Sequence, residues 1–192
     1  MNEQRDLFEY GRPPAVFDRG ATLSLCGRYR YRLWRVWDRT LPMVVWVMLN
    51  PSTADASNDD LTLKKVQGFS RQWGFGGVIV VNLYAWRETD PDALTARSLE
   101  GADVVGPEND LHLRAAMQDA HLVLCAWGAH TVSRARAAAV LAMVPETVAC
   151  ECLGRTSGGA PRHPSRLAYA TPREVMYPEI EAGQEGRADH DG

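Results

Sequence analysis

Three polar side chains stand beside predicted strands, and their types suit the recognition of a polar ligand. Asn50 follows the apolar run VVWVML, Asn82 lies within the run VIVVNL, and His163 lies in a glycine-rich loop over residues 154–167. A buried amide must be hydrogen-bonded, and a ligand can be its partner. A histidine can donate or accept a proton near neutral pH. We therefore consider all three as candidate site residues; the alternative is that Asn50 bonds only local backbone and His163 is an ordinary surface residue.

Apolar runs predict the strands that carry these residues. Val44, Val45 and Val47 are β-branched and belong to an unbroken apolar run, which is typical of a strand buried on both faces. Pro51 removes a ladder donor and disfavours helix at Asn50, so the strand should end there. Ligands of open α/β sheets collect at the carboxyl ends of strands. The same pattern predicts further strands over residues 78–83, 121–127 and 148–153.

Helices are predicted between these strands, over residues 61–73, 107–117 and 131–143. Asp60 is the expected N-cap of the first helix. Asp59 and Asp60 could also be read as a catalytic or metal-binding carboxylate pair, but a cap beside a second acid near the helix N-terminus explains both. Alternating strands and helices predict an α/β fold in three layers, α/β/α, with a mostly parallel central sheet of four or five strands.

An arginine-rich segment, RYRYRLWRVW over residues 28–37, alternates polar and apolar residues as a half-buried strand does. Residues 38–42 would turn it back into the central strand, so we expect an N-terminal hairpin or edge strand. Arg28, Arg30 and Arg32 would then share one face. They could follow a phosphate backbone, but such a row more often belongs to a solvated edge strand, and we favour that interpretation.

Length and composition limit the class of protein. A chain of 192 residues with 45% hydrophobic content suits one domain, which we place at residues 21–177 between a flexible arm, 1–20, and a disordered tail, 178–192. The net charge of −3 and the pI near 6.0 argue against a broad basic surface. The sequence shows no signal peptide and no apolar run long enough to span a bilayer, so we expect a cytoplasmic protein. We also expect a monomer.

The four cysteines favour neither disulfides nor metal clusters. They form no C-x-x-C pair, and three of them lie in apolar strand-like runs, where a free cysteine behaves as a small hydrophobe. We therefore expect no metal and no cofactor. The cysteines are Cys26, Cys125, Cys150 and Cys152.

Four motifs together resemble a family of bacterial and phage proteins that is known only as a domain of unknown function. They are LNPSTAD, VVNLYAW, LCAWGAH and PRHPSRL, and the resemblance spans residues 25–167. Their order and spacing also resemble the uracil-DNA glycosylase superfamily, in which one strand ends in an Asp- or Asn-Pro motif, a later strand ends in Asn, a W-G motif follows, and an H-P-S loop closes the site. This resemblance implies that a base is flipped out of DNA and that its N-glycosidic bond is hydrolysed.

The resemblance to the glycosylases implies a role for each candidate residue. Asn50 matches the residue that positions the attacking water, in the amide form of the mismatch-specific branch. Asn82 matches the amide that reads the Watson–Crick edge of a flipped base. His163 matches the donor to the pyrimidine O2 as negative charge grows on the departing base. The remaining assignments are base binding by Ser52 and Tyr84, and DNA binding by Arg162, Ser165, Arg166 and Leu167, of which Leu167 would fill the stack.

Departures from the superfamily pattern leave other functions open. Asn50 cannot accept a proton from water as a carboxylate does, so hydrolysis should be slow. Arg166 stands where the superfamily commonly has proline. The main alternative is a module that binds a modified base, nucleotide or nucleoside without cutting it, and a base-modifying transfer reaction is a third reading. If DNA is the partner, it should contact Arg155, Arg162 and Arg166, unless these pair with the chain's own acids.

Overall fold

The computed structural model describes residues 15–52 and 59–176, where it contains seven β-strands and four α-helices. The predicted tail, most of the predicted arm, and residues 53–58 of the Asn-Pro loop lie outside the described residues. None of the helices described has the length and apolarity needed to cross a membrane. The strands are β1 (Asp18–Leu23), β2 (Arg30–Val36), β3 (Met43–Met48), β4 (Gly77–Asn82), β5 (Leu122–Cys125), β6 (Ala149–Cys152) and β7 (Glu174–Val175). The helices are α1 (Leu61–Gln72), α2 (Pro91–Leu99), α3 (Asn109–Gln118) and α4 (Ser133–Leu141), and Pro164–Arg166 forms a short 3-10 turn.

The strands form one mixed sheet in the order β1-β2-β4-β3-β5-β6-β7. Strands β4, β3, β5 and β6 run parallel, whereas β1, β2 and β7 are antiparallel to their neighbours. The predicted α/β class is confirmed. The predicted sheet of four or five mostly parallel strands is wrong, because antiparallel strands extend the parallel centre at both edges.

The predicted hairpin between β2 and β3 is also wrong, because β2 pairs antiparallel with β4. The backbone N–H groups of Trp37 and Asp38 both donate to Gly76 O at 2.9 Å, which holds the end of β2 beside the start of β4. A turn alone does not decide which strand becomes the neighbour, and the all-apolar β3 gains more burial in the sheet interior. The N-terminal hairpin is formed by β1 and β2 instead. Because β1 begins at Asp18, residues 18–20 belong to the sheet.

Apolar side chains cover both faces of the sheet, as the apolar runs predict. Val44, Trp46 and Met48 of β3 pack on the face that carries α1. Val45 and Val47 pack on the other face, with α2, α3 and α4. Burial of this apolar area is the main favourable contribution to folding. The helices contribute Leu63, Val66 and Phe69 to the first face, and Leu94, Leu113, Met117 and Val140 to the second.

The two acids at the start of α1 have separate structural roles. Asp60 is the N-cap, because its Oδ1 accepts a hydrogen bond from Leu63 N at 2.7 Å, and this prediction is confirmed. Asp59 pairs with the buried Arg35, with Oδ1 2.8 Å from Arg35 Nε, and its Oδ2 accepts from Gln67 Nε2 at 2.6 Å. The acids therefore do not form a joint carboxylate pair, and Asp59 anchors α1 to β2.

Candidate functional site

The three candidate residues of the sequence, Asn50, Asn82 and His163, line one pocket at the carboxyl ends of β3, β4 and β5. The pocket has a volume of about 380 Å³. The connection after β3 leads to a helix on one face of the sheet, and the connection after β5 leads to a helix on the other. Such a change of side is where open α/β sheets bind ligands. The wall also contains Arg30, Ser52, Asp60, Glu88, Trp127 and His130.

Asn82, the last residue of β4, lines the pocket with an unused donor. The residue is 2% exposed, and its Nδ2 is enclosed without a hydrogen-bond partner among the described residues. Its backbone is well held, because its carbonyl oxygen accepts from Asn109 Nδ2 at 3.1 Å. A buried donor left without a partner costs about 1–3 kcal/mol. A ligand that accepts this hydrogen bond would therefore recover free energy that the fold alone does not.

Asn50 is oriented by the segment that follows β4. Its Nδ2 donates to the carbonyl oxygen of Glu88 at 2.5 Å, and Glu88 N donates to Pro51 O at 3.0 Å. This hydrogen-bond network assigns the amide orientation. Because the amide nitrogen is engaged, Oδ1 remains an acceptor for a water molecule or a ligand.

His163 is held as a neutral imidazole. Its Nδ1 accepts a hydrogen bond from Ser165 N at 3.4 Å and lies 2.9 Å from Ser165 Oγ, which places the ring proton on Nε2. Burial lowers the pKa of His163, and the negative charge of Asp60 opposes this shift. A neutral ring with a proton on Nε2 can donate a hydrogen bond in the pocket at neutral pH.

Contacts at both ends hold the loop that carries His163. Gly128, which follows β5, donates its N–H to Pro161 O at 3.0 Å, and its φ of +79° is a left-handed conformation that favours glycine. Lys65 of α1 donates from Nζ to Leu167 O at 2.7 Å. The loop is thus tied to the end of β5 and to α1, which fixes His163 relative to the two asparagines.

Arg30 belongs to the pocket and was not predicted to do so. The interpretation of Arg28, Arg30 and Arg32 as a solvated edge row is wrong, because β2 lies inside the sheet and Arg30 is only 9% exposed. Burial, and next the positive charge of Arg87, lower the pKa of Arg30 to about 10, while Asp60 acts in the opposite direction. Arg30 therefore remains a cation at neutral pH.

A β-bulge turns Arg30 toward the pocket. The register of β1 and β2 shifts between Thr22 and Leu23, which leaves Tyr31 as an extra residue. The Tyr31 ring stacks on His112 of α3, with 4.7 Å between ring centroids. Since neighbouring side chains of a strand point to opposite faces, Arg30 lies on the α1 side, where the pocket is.

His130 is a second histidine in the wall and comes from the LCAWGAH motif. Its Nε2 lies 3.0 Å from Asp92 Oδ1, and its Nδ1 accepts from Val132 N at 3.4 Å, so the proton on Nε2 is shared with the carboxylate. The two residues are far apart in the chain, and no local pattern indicates the pair. Within residues 15–52 and 59–176, no three His, Cys, Asp or Glu side chains are grouped as metal ligands.

Two other residues assigned from the sequence are used by the fold itself. Tyr84 is buried outside the pocket wall, and its hydroxyl donates to Val132 O at 2.7 Å. Leu167 is 5% exposed and packs in the core on the α1 face, so it does not project from the loop. Ser52 lies in the pocket wall, and Ser165 is engaged by His163.

The loop arginines fall into two groups. Arg155 is used internally: its Nε lies 3.5 Å from Glu174 Oε1, and its Nη2 donates to Val175 O at 3.1 Å. Arg162 and Arg166 are exposed, and their side chains have no hydrogen bond or ion pair among the residues described. Two cations therefore remain accessible on either side of His163 in the chain.

A family model described as "Protein of unknown function (DUF1643)" matches residues 30–165. The match covers more than half of the chain and includes Asn50, Asn82 and His163. No curated protein and no solved structure matches the chain. The family description names no activity, and the predicted membership of an uncharacterised family is confirmed. The chain belongs to the DUF1643 family of proteins of unknown function.

Proposed function

We propose that this protein processes DNA bases as the uracil-DNA glycosylases do, by hydrolysing the N-glycosidic bond of a flipped, deaminated or modified base. The observation that carries the proposal is the convergence of Asn50, Asn82 and His163 on one pocket. These residues come from three separate segments of the chain. They offer a free acceptor, an unpartnered donor and an Nε2 donor, which are the groups that a pyrimidine edge and an attacking water require.

In the proposed reaction, Asn50 Oδ1 accepts a hydrogen bond from water and directs its oxygen toward C1′ of the sugar. The bond between C1′ and the base nitrogen breaks, the hydroxyl group joins C1′, and the electron pair leaves with the base. Asn82 Nδ2 donates to the edge of the base, and His163 Nε2 donates to the oxygen that gains negative charge. Donors placed in advance lower the barrier because they need no reorganisation as charge develops.

Position 50 itself supplies no acceptor for the proton of the attacking water. Asn50 is an amide, and Glu88 Oε1 already accepts from Thr89 N at 2.8 Å and from Asp90 N at 3.3 Å. Asp60 Oδ1 is engaged as the cap of α1. In the proposed scheme the proton is released to solvent or to the departing base, and we expect slow turnover because position 50 carries an amide and not a carboxylate.

The wider architecture supports the same proposal. Helices lie on both faces of the sheet, which suits the three-layer α/β/α arrangement implied by the resemblance, with antiparallel strands added at the edges. The accessible Arg162 and Arg166 provide a local contact for phosphates on a protein with a net charge of −3. In this proposal the protein acts in the cytoplasm, as a monomer.

The test is base release from duplex and single-stranded DNA that contains uracil, hypoxanthine, xanthine, 5-hydroxymethyluracil or bulkier modified pyrimidines. Asn50→Ala and His163→Ala should each lower the rate by about a hundredfold or more. His121→Ala is the matched control, because His121 is exposed on the surface and does not line the pocket. An activity that survives in both pocket variants would rule out this mechanism.

The DNA contact has its own test. In the variant with Arg162→Ala and Arg166→Ala, DNA affinity should fall. The slope of log affinity against log salt concentration should also become shallower, by the amount expected for the loss of about two phosphate contacts. Replacing the exposed Arg97 and Arg114 by alanine in the same way is the control, since α2 and α3 carry them away from the loop. An unchanged affinity and salt slope in the loop variant would mean that the loop does not contact DNA.

A second function is favoured by the amide at position 50, which cannot accept a proton from water as a carboxylate does. A module that senses a modified base, nucleotide or nucleoside would use the same donors without cutting the bond. Thermal-shift measurements with nucleosides, nucleotides and oligonucleotides separate the two functions, because a binder is stabilised without forming product. Absence of stabilisation by all of these ligands would count against the binding module.

A further inference from the structure

Arg30 is held rigidly at the start of β2. Its backbone N–H donates to Ala85 O at 2.9 Å, just beyond the end of β4, and the bulge at Tyr31 directs its side chain to the pocket side. Next to it, the bridge between Tyr29 and Trp86 continues the antiparallel pairing. The position of the guanidinium is therefore determined by the sheet and not by a mobile loop.

The charge of Arg30 has no ion-pair partner among the described residues. The residue is 9% exposed, its Nε is enclosed without a hydrogen-bond partner, and no carboxylate of the described residues forms an ion pair with it. Asp60 lies in the same wall and favours the charged form of Arg30, but its Oδ1 is used to cap α1. A buried cation without a partner is costly, and such residues are normally paired or bind a ligand.

We propose that Arg30, together with Asn82, forms a subsite for an anionic group of the ligand. This inference rests on the proposed function, because it concerns the same pocket, and it specifies the class of substrate: a base or nucleotide that carries a phosphate or a carboxylate. A guanidinium can hold either group through two parallel hydrogen bonds. The enclosed Nδ2 of Asn82 supplies a neighbouring donor in the same wall.

The anionic group could be the phosphate of a nucleotide or an acidic substituent on the base, and three probes distinguish these sources. They are 2′-deoxyuridine, its 5′-monophosphate and 5-carboxy-2′-deoxyuridine, with affinity measured by calorimetry on the wild-type chain. We expect one of the charged probes to bind about tenfold more tightly than the neutral nucleoside, or better. Equal affinity for all three, or no binding of the charged probes, would overturn the inference.

Substitutions then link this preference to Arg30. Arg30→Met should abolish the gain in affinity for the charged probe, and Arg30→Lys should keep part of it. Arg114→Met is the matched control, because Arg114 is an exposed arginine of α3 and does not line the pocket; it should leave the gain unchanged. A gain that persists in Arg30→Met would contradict the subsite.

Thermal stability separates a ligand-binding role from a structural one. Removing an unpaired buried charge should raise the melting temperature of Arg30→Met by about 2–4 °C or more in the absence of ligand. A lower melting temperature, or failure to fold, would show that Arg30 supports the fold, and would overturn the inference. These measurements need no hydrolysis, so an Arg30-dependent gain without base release would refute only the glycosylase activity, and base release without any preference for charge would refute only the subsite.

Discussion

Strand β2 carries a buried arginine near each end, and the two differ in their hydrogen bonds and ion pairs. Arg35 is fully buried; its Nε lies 2.8 Å from Asp59 Oδ1, and its Nη1 donates to Trp34 O at 2.7 Å. Arg30 is 9% exposed and has neither an ion pair nor a side-chain hydrogen bond among the described residues. Among the described residues, the fold pairs the guanidinium of Arg35 and leaves that of Arg30 available to a ligand.

Two buried asparagines repeat this contrast at the end of β4. Asn109 uses its Nδ2 to donate to Asn82 O and Leu83 O, both at 3.1 Å. Asn82 lines the pocket, and its enclosed Nδ2 has no hydrogen-bond partner within residues 15–52 and 59–176. The Nδ2 of Asn109 is thus bonded to the backbone at the end of β4, whereas the Nδ2 of Asn82 is left as a donor in the pocket wall.

The largest expected effect is on Arg35. Arg35→Met should lower the free energy of unfolding by about 3–5 kcal/mol, because it leaves the partly buried Asp59 without its partner. Chemical denaturation measures this loss, and Arg39→Met, which removes an exposed ion pair with Asp18, is the control with a small effect. If Arg35→Met were as stable as the wild type, the distinction between the two ends of β2 would fail.

Leu167, in the loop after His163, also serves the fold and not the ligand. Leu167→Ala should cost about 2–5 kcal/mol of stability, because the side chain is buried on the α1 face. Leu111→Ala, at an exposed leucine of α3, is the control. A stable Leu167→Ala variant with weakened DNA binding would instead support the stack-filling role implied by the resemblance.

Substitutions of the two asparagines should change the free energy of unfolding by less than those of Arg35 and Leu167. Asn109→Leu should destabilise the protein by about 1–3 kcal/mol, because the carbonyl groups of Asn82 and Leu83 lose a donor. Asn82→Leu should leave stability unchanged or raise it, since it removes an unpaired donor, and should weaken ligand binding. Denaturation of both variants without ligand tests the contrast, and a greater loss in Asn82→Leu would reverse it.

The smallest expected effect concerns pH. Burial lowers the pKa of His163 below 6.5, so the unfolded chain takes up its proton first as the pH falls, and the free energy of unfolding decreases below pH 6.5. His163→Gln should remove this part of the pH dependence. Stability curves of both proteins between pH 5 and 8, about the usual range of histidine titration, measure the difference. A wild-type chain that gains stability relative to His163→Gln on acidification would contradict the burial of a neutral ring.

Much of the fold could be predicted because the local sequence indicates which segments are buried. The apolar runs of β3 and β4 report burial on both faces, and Asp60 beside an amphipathic segment reports the start of α1. The convergence of Asn50 and Asn82 follows from the same pattern, since parallel strands place their carboxyl ends at one edge of the sheet. For these features the sequence is sufficient.

The rest depends on contacts between distant segments. The pairing of β2 with β4, and not with β3, is decided by packing across the sheet. The extra residue at Tyr31 changes the face of the sheet to which Arg30 points. Simple alternation places Arg30 on the same face as Arg32 and therefore predicts a solvated side chain. The contact between His130 and Asp92 joins the loop after β5 to the first turn of α2, and no local pattern connects the two. Pocket residues are therefore harder to predict than the strands that position them.

The most direct test of this account observes the unused donor of Asn82. We propose NMR of the ¹⁵N-labelled side-chain amides while the ligand is added, with assignments from Asn82→Leu and Asn109→Leu. A pyrimidine nucleotide that binds should shift the NH₂ signals of Asn82 and protect them from exchange with water, and should leave those of Asn109 unchanged. A ligand that binds without moving the Asn82 signals would contradict the claim that this pocket completes its hydrogen bonding with a base.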